Sequence, residues 1–143
     1  MDHVVYLDTQ AKELELILSH KKQMILRGAT GRKVPYGRVN PGDILYFINN
    51  NAEGLIRAKA RVEVVINSEQ LTPEESAQMV TSHQDKLQLT PKQYMRWAGK
   101  RYLVLIEISR AQEVEAFQID KSEYGNMDDW LPVGDIDQVR IKG

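Results

Sequence analysis

The clearest hydrophobic pattern in the chain runs from Leu55 to Ile66. Ile56, Ala58, Ala60, Val62 and Val64 fall on one face, and Arg57, Lys59, Arg61 and Glu63 on the other. That period of two predicts a half-buried strand. Before it, Asn40-Pro41-Gly42-Asp43 is a turn signal that launches the apolar run Ile44–Ile48, and the turn Asn49–Gly54 joins the two runs into an expected hairpin. Arg101–Ser109 alternates with Tyr102, Val104, Ile106 and Ile108 on one face, and Val114–Ile119 predicts a further strand. His3–Leu7, Gln23–Leu26, Trp130–Val133 and Ile136–Ile141 read as short strands, and Asp120–Asp129 as a polar turn.

Helical periodicity is confined to three places. Ala11, Leu14, Ile17 and Leu18 form a stripe on a helix from about Gln10 to Ser19, with Asp8 or Thr9 as its cap. Thr72-Pro73-Glu74-Glu75 and Thr90-Pro91-Lys92-Gln93 each place a cap, a proline at the first helical position and a Glu or Gln three residues after the cap. The second of these helices is expected to end near Gly99. Strands dominate without a βαβ rhythm, so the pattern predicts an α+β domain on a mostly antiparallel sheet or small barrel.

The 143 residues suit one domain spanning 1–143. No apolar run approaches the ~18 residues of a membrane-spanning helix, and the first eight residues do not read as a secretory signal. Cysteine is absent, which excludes disulfides, thiolate metal sites and cysteine nucleophiles and is consistent with a cytoplasmic setting. The 19 basic and 20 acidic residues nearly cancel, but they are unevenly spread. Lys21, Lys22, Arg27, Arg32, Lys33, Arg38, Arg57, Lys59 and Arg61 make the first half basic, and Glu113 to Asp137 is strongly acidic. A basic face attracts phosphate; alternatively, the two halves neutralise each other in the fold.

Most catalytic signatures are missing. There is no Gly-x-Gly-x-x-Gly, Walker sequence or Gly-x-Ser-x-Gly elbow. His3, His20 and His83 are scattered, and Asp128 and Asp129 read as solvated carboxylates, so neither a metal nor a cofactor is expected. What remains is a basic and aromatic set: Lys21, Lys22, Arg27, Arg32, Lys33, Tyr36 and Arg38 around the first helix, the strand after it and the loop Gly28–Gly37. Lysine and arginine neutralise phosphates, and tyrosine stacks on bases. Tyr94 and Trp97, at i and i+3 on the second capped helix, read as core residues.

The order Ser19-His20-Lys21-Lys22-Gln23-Met24-Ile25-Leu26-Arg27, then Asn40–Leu45, then Ala58–Val65, resembles the ASCH domain family of the PUA-like superfamily. The family signature is Gly-x-Lys-x-x-(Glu or Thr)-x-Arg; Lys22 and Arg27 match its lysine and arginine. The resemblance covers most of residues 10–110. It implies a PUA-like β-barrel with flanking short helices, a cleft near the signature, and binding of RNA or a nucleotide-like ligand. Some small members resemble amidohydrolases of acetylated cytidine, and others ribonucleases. Two signature positions differ here: His20 stands for the glycine, and Ile25 for the Glu or Thr. Isoleucine supplies no hydroxyl for the amidohydrolase chemistry. If the chain is an enzyme, the resemblance makes Lys22 and Asp85 its catalytic pair. The third alternative is a protein-interaction domain using Trp130 and Tyr124. The sequence leaves oligomeric state open.

Overall fold

The computed structural model describes residues 1–124 and 128–141. The turn Asn49–Gly54 closes the expected hairpin, with Ala52 and Gly54 at φ 63° and 76° to reverse the chain. It joins β-strands Ile44–Asn49 and Leu55–Asn67 as an antiparallel pair. With Asp2–Leu7 as β1 and Met24–Ala29 as β2, the hairpin strands are β3 and β4. Tyr102–Gln118 is β5 and Trp130–Gly134 is β6. The helices are α1 (Glu13–Leu18), α2 (Pro73–Ser82), α3 (Gln84–Leu87) and α4 (Pro91–Trp97).

The strands form one sheet in the order β2-β5-β4-β3-β1-β6. Only the β1–β3 pairing is parallel; the other neighbours run antiparallel. The sheet curls into a half-barrel, which brings its two edge strands together. Arg27 on β2 reaches within 5.7 Å of the Trp130 ring on β6 and donates to the Tyr6 carbonyl of β1 at 2.7 Å. This is the expected α+β, PUA-like architecture.

The period-two pattern sorts side chains onto two faces. Ile25, Val104 and Ile106 point into the barrel with Phe47, Ala58 and Val62. Met24, Leu26, Leu103 and Leu105 point outward and are covered by Val80, Leu87 and Trp97 from α2, α3 and α4. Burying each such aliphatic side chain contributes ~1.5–3 kcal/mol, so this helical layer is part of the core. Trp97 joins it, as its spacing predicts.

Four expectations change. The first helix starts at Glu13 from an uncapped Lys12 at φ 56°, and Asp8 instead accepts from Ala11 N–H in the turn before it. Val64 is 44% exposed because the β4–β5 register shifts between Val62 and Val64, and the inward face passes to Val65. The two strands expected over 101–119 are one strand of 17 residues, turned at Arg110 where φ is 54°. Ile136–Ile141 is not a strand: the Asp135 carboxylate caps a 3-10 turn over Ile136–Gln138, and only Arg140 makes a bridge, to Ile119. Residues 125–127 of the expected polar turn lie outside the described residues. Among the described residues no helix is long and apolar enough to cross a membrane.

Candidate functional site

Arg27 lies at the seam where β2 meets β1 and β6, and it is 7% exposed. Its two terminal nitrogens donate to the carbonyls of Leu26 at 2.8 Å and Tyr6 at 2.7 Å. Trp97 and Trp130 lie 5.9 and 5.7 Å from the guanidinium carbon, so aromatic rings and two carbonyls fix the side chain. Its Nε is 3.2 Å from the Asp129 carboxylate but not aligned with it. That buried atom has no hydrogen-bond partner among the described residues. Arg96 of α4 also stacks on the Trp97 ring, at 4.3 Å, and reaches the same Asp129 oxygen at 3.9 Å.

A cleft of about 400 Å³ opens beside Arg27. Its walls are the end of β2, the loop after it, the C-terminal end of α4 and the start of β5. Four cations line it: Arg27, Lys33, Arg96 and Lys100; Asp129 is the carboxylate among them. Tyr36, Trp97 and Tyr102 add aromatic surface. The loop wall is anchored: the Tyr36 hydroxyl donates to the Ser68 carbonyl, and Gly37 N–H donates to Asn67 Oδ1 at 2.9 Å. The absence of a side chain at Gly28 lets the loop before β5 approach, since a Cβ there would sit 2.9 Å from Leu103 and 3.2 Å from Lys100.

Lys22 is elsewhere than on the open surface. It is 2% exposed and donates to the Leu87 carbonyl, with the Glu13 carboxylate 3.6 Å away. Burial pushes its ammonium below the ordinary lysine range, Glu13 opposes this, and Arg27 adds to it. Lys22 lines a smaller cavity of about 120 Å³ with Glu13, Gln93 and Leu89. Arg27, Arg96, Trp97 and Asp129 line both cavities and form the partition between them.

The remaining sequence candidates are dispersed. Lys33 and Tyr36 line the cleft. Arg32, exposed, stacks over Tyr36 and Tyr102 at 5.7 and 5.5 Å. Lys21 and Arg38 are exposed and line neither cavity. Asp85 is exposed on α3; the carboxylate beside Lys22 is Glu13. Ile25 is fully buried. Trp130 is 2% exposed and donates from Nε1 to His3, so it offers no surface to a protein partner. Arg96, Lys100 and Asp129 were missed. The adjacency of Arg96 to Trp97 at the end of the second capped helix was the available signal, since it puts a cation beside an aromatic ring. Asp129 is not merely solvated, as its half-buried pairing with Arg27 shows. Among the described residues no group of three or more His, Cys, Asp or Glu converges as a metal site would require.

A curled six-stranded sheet with short helices packed on one edge and a cationic cleft at its seam defines a PUA-like half-barrel. The fold is that of ASCH proteins. No family model matches the chain, and no curated protein matches it. The ASCH protein from Zymomonas mobilis superposes with a TM-score of 0.69 at 12% identity, over 96% of this chain and 91% of that one. A tyrosine-to-phenylalanine mutant of the same ZmASCH protein gives 0.66 at 13% identity, over 90% and 87%. Its serine-to-alanine mutant gives 0.62 at 14%, over 82% and 73%.

Proposed function

We propose that the chain binds RNA or a nucleotide-like ligand in the cleft at Arg27. The supporting observation is the composition of that cleft: four cations and three aromatic rings around about 400 Å³, with Asp129 as their counter-charge. Cations at this density attract phosphate, and aromatic rings offer stacking surface to a base without requiring one sequence. Arg27 is immobilised and supplies a fixed charge; Lys33, Arg96 and Lys100 are exposed and adjust to the ligand. Arg32 extends the basic rim, with Lys21 and Arg38 further out. A cytoplasmic setting belongs to the same proposal.

The test is fluorescence anisotropy of labelled single-stranded RNA, structured RNA and duplex DNA at low and moderate salt. The variant is Lys33→Ala/Arg96→Ala/Lys100→Ala, whose three side chains are all exposed, and circular dichroism checks that it is folded, because Arg96 stacks on the buried Trp97. The expected result is RNA-preferring binding that weakens with salt, with a salt slope reduced by ~0.7–0.9 for each phosphate contact removed. Salt-independent binding, or a variant that binds as well as wild type, overturns the proposal.

A second reading is a small hydrolase acting on a modified nucleoside or on RNA, of the acetylcytidine amidohydrolase or ribonuclease kind. One observation favours it: Lys22 is buried beside Glu13 with its proton affinity lowered, as an active-site lysine requires. Asp85, the acid suggested by the resemblance, is exposed on α3, so Glu13 takes that place in this reading. Product formed from acetylated cytidine or mixed RNA by wild type and lost in Lys22→Gln supports it; unchanged substrates remove it.

A further inference from the structure

Asp129 is the carboxylate facing the four cations of the cleft, and its position is unusual for a stabilising pair. A committed pair in this chain looks different. Glu53 accepts from both Nε and a terminal nitrogen of Arg57, one oxygen to each, in the fork geometry that makes such pairs strong. Asp129 instead places one oxygen between two guanidinium groups, 3.2 Å from Arg27 Nε without a hydrogen bond and 3.9 Å from Arg96, beyond hydrogen-bond distance. Arg27 cannot turn to improve the contact, because its other nitrogens are held by the Leu26 and Tyr6 carbonyls. Its buried Nε is left without an aligned acceptor among the described residues.

We infer that Asp129 is the chain's own occupant of an oxyanion position on Arg27 and Arg96, and that a ligand phosphate enters the cleft by displacing it. This rests on the binding reading above and adds to it the residue that sets the affinity threshold. A phosphate carries several oxygens on one centre, so it meets both guanidinium groups at once, which one carboxylate oxygen in this position does not. Asp129 is 41% exposed, so leaving the cations returns it to water instead of burying it unpaired. With Asp129 in place one of the two guanidinium charges on the cleft floor is offset. Anions too weak to displace the carboxylate are refused. Removing its charge lifts the competition and also the repulsion against an incoming phosphate.

The experiment is titration calorimetry of inorganic phosphate and of a single-stranded oligouridylate into wild type, Asp129→Asn, Asp129→Ala and Asp129→Asn/Arg96→Gln at low salt. Circular dichroism checks that each variant is folded. The inference expects both Asp129 single variants to bind both probes about five- to tenfold more tightly. The Arg96→Gln change is expected to cancel that gain, because it removes half of the vacated position. Unchanged affinity in the single variants overturns the inference, and weaker affinity overturns it by making Asp129 a ligand contact. In both cases oligouridylate binding by wild type leaves the proposed function standing. Failure of every protein to bind either probe removes the inference and the proposed function together.

Discussion

At His20 the backbone has φ 64°, the left-handed region in which a side chain crowds its own carbonyl. This residue occupies the place of the signature glycine, and the local geometry explains why a glycine suits it. The chain must reverse between α1 and β2, and the N–H groups of Lys21 and Lys22 both return to the Leu16 carbonyl, at 3.0 and 3.1 Å. His20 is exposed, so no packing is lost on removing its ring. His20→Gly is therefore expected to stabilise the fold by ~0.5–1 kcal/mol, the relief of strain less the added freedom of glycine in the unfolded chain. Urea unfolding checks it: the midpoint should rise while the slope stays constant. Two residues on, Lys22 shows the limit of reading charge from sequence. Nothing in its neighbours marks it as buried; only the arrival of Glu13 and Leu87 from other elements does so. Lys22→Met should lose ~3–5 kcal/mol, because Glu13 is left buried without its cation. Lys22→Met/Glu13→Gln should recover much of that loss in the same unfolding assay.

Among the elements, α2 and α4 start with the same chemistry and differ in what they carry. Thr72 accepts from Glu75 N–H while Glu75 returns to Thr72 N–H, and Thr90 and Gln93 do the same. Each threonine-to-alanine change should cost ~1 kcal/mol. Only α4 presents Arg96 and Trp97 to the cleft, so Thr90→Ala should also weaken oligonucleotide affinity, whereas Thr72→Ala should leave it unchanged. Parallel thermal melts and anisotropy titrations of the two variants separate these effects. The capping boxes were legible in the sequence because every atom of a box lies within four residues. So was the β3–β4 hairpin, set by alternation and an Asn/Gly turn. The long β5 was not, since the break at Arg110 interrupts the apolar pattern while the hydrogen-bonded ladder to β4 carries on past it. The cleft was half legible. Arg27, Lys33 and Tyr36 fall within ten residues of one another, but Arg96, Lys100 and Asp129 join them only when α4 and β6 close on β2.

At the scale of the molecule, one buried polar chain ties the seam to the middle of the sheet. Trp130 Nε1 on β6 donates to Nδ1 of His3 on β1 at 3.1 Å, and the opposite ring nitrogen of His3 lies 2.9 Å from the Asp43 carboxylate. The indole is only a donor, so His3 must accept on Nδ1 and carry its proton on Nε2 toward Asp43. A doubly protonated ring would turn Nδ1 into a second donor aimed at the indole. His3 is fully buried, and burial lowers its proton affinity below the ordinary histidine value of about 6.5, although Asp43 and Asp2 oppose the shift. The unfolded chain therefore takes up a proton below about pH 6.5 that the folded chain resists. This contribution to stability is complete above that pH and is lost as pH falls toward the folded value. Asp43 adds a second loss at lower pH. Although burial alone would raise its pKa, the Asn40 N–H and His3 lower it on balance, so its contribution disappears as pH falls below about 3.9 and through the folded value. His3→Gln keeps one donor and one acceptor without titrating. Its stability should fall less than that of wild type between pH 7 and 5, measured by urea unfolding at each pH. Because Trp130 Nε1 donates to His3, indole fluorescence of folded wild type should stay constant while His3 resists protonation and change only as pH falls to the folded value, whereas that of His3→Gln should not show this change. Parallel pH profiles for the two proteins would mean that His3 takes up its proton as readily in the folded chain as in the unfolded one, which overturns the prediction.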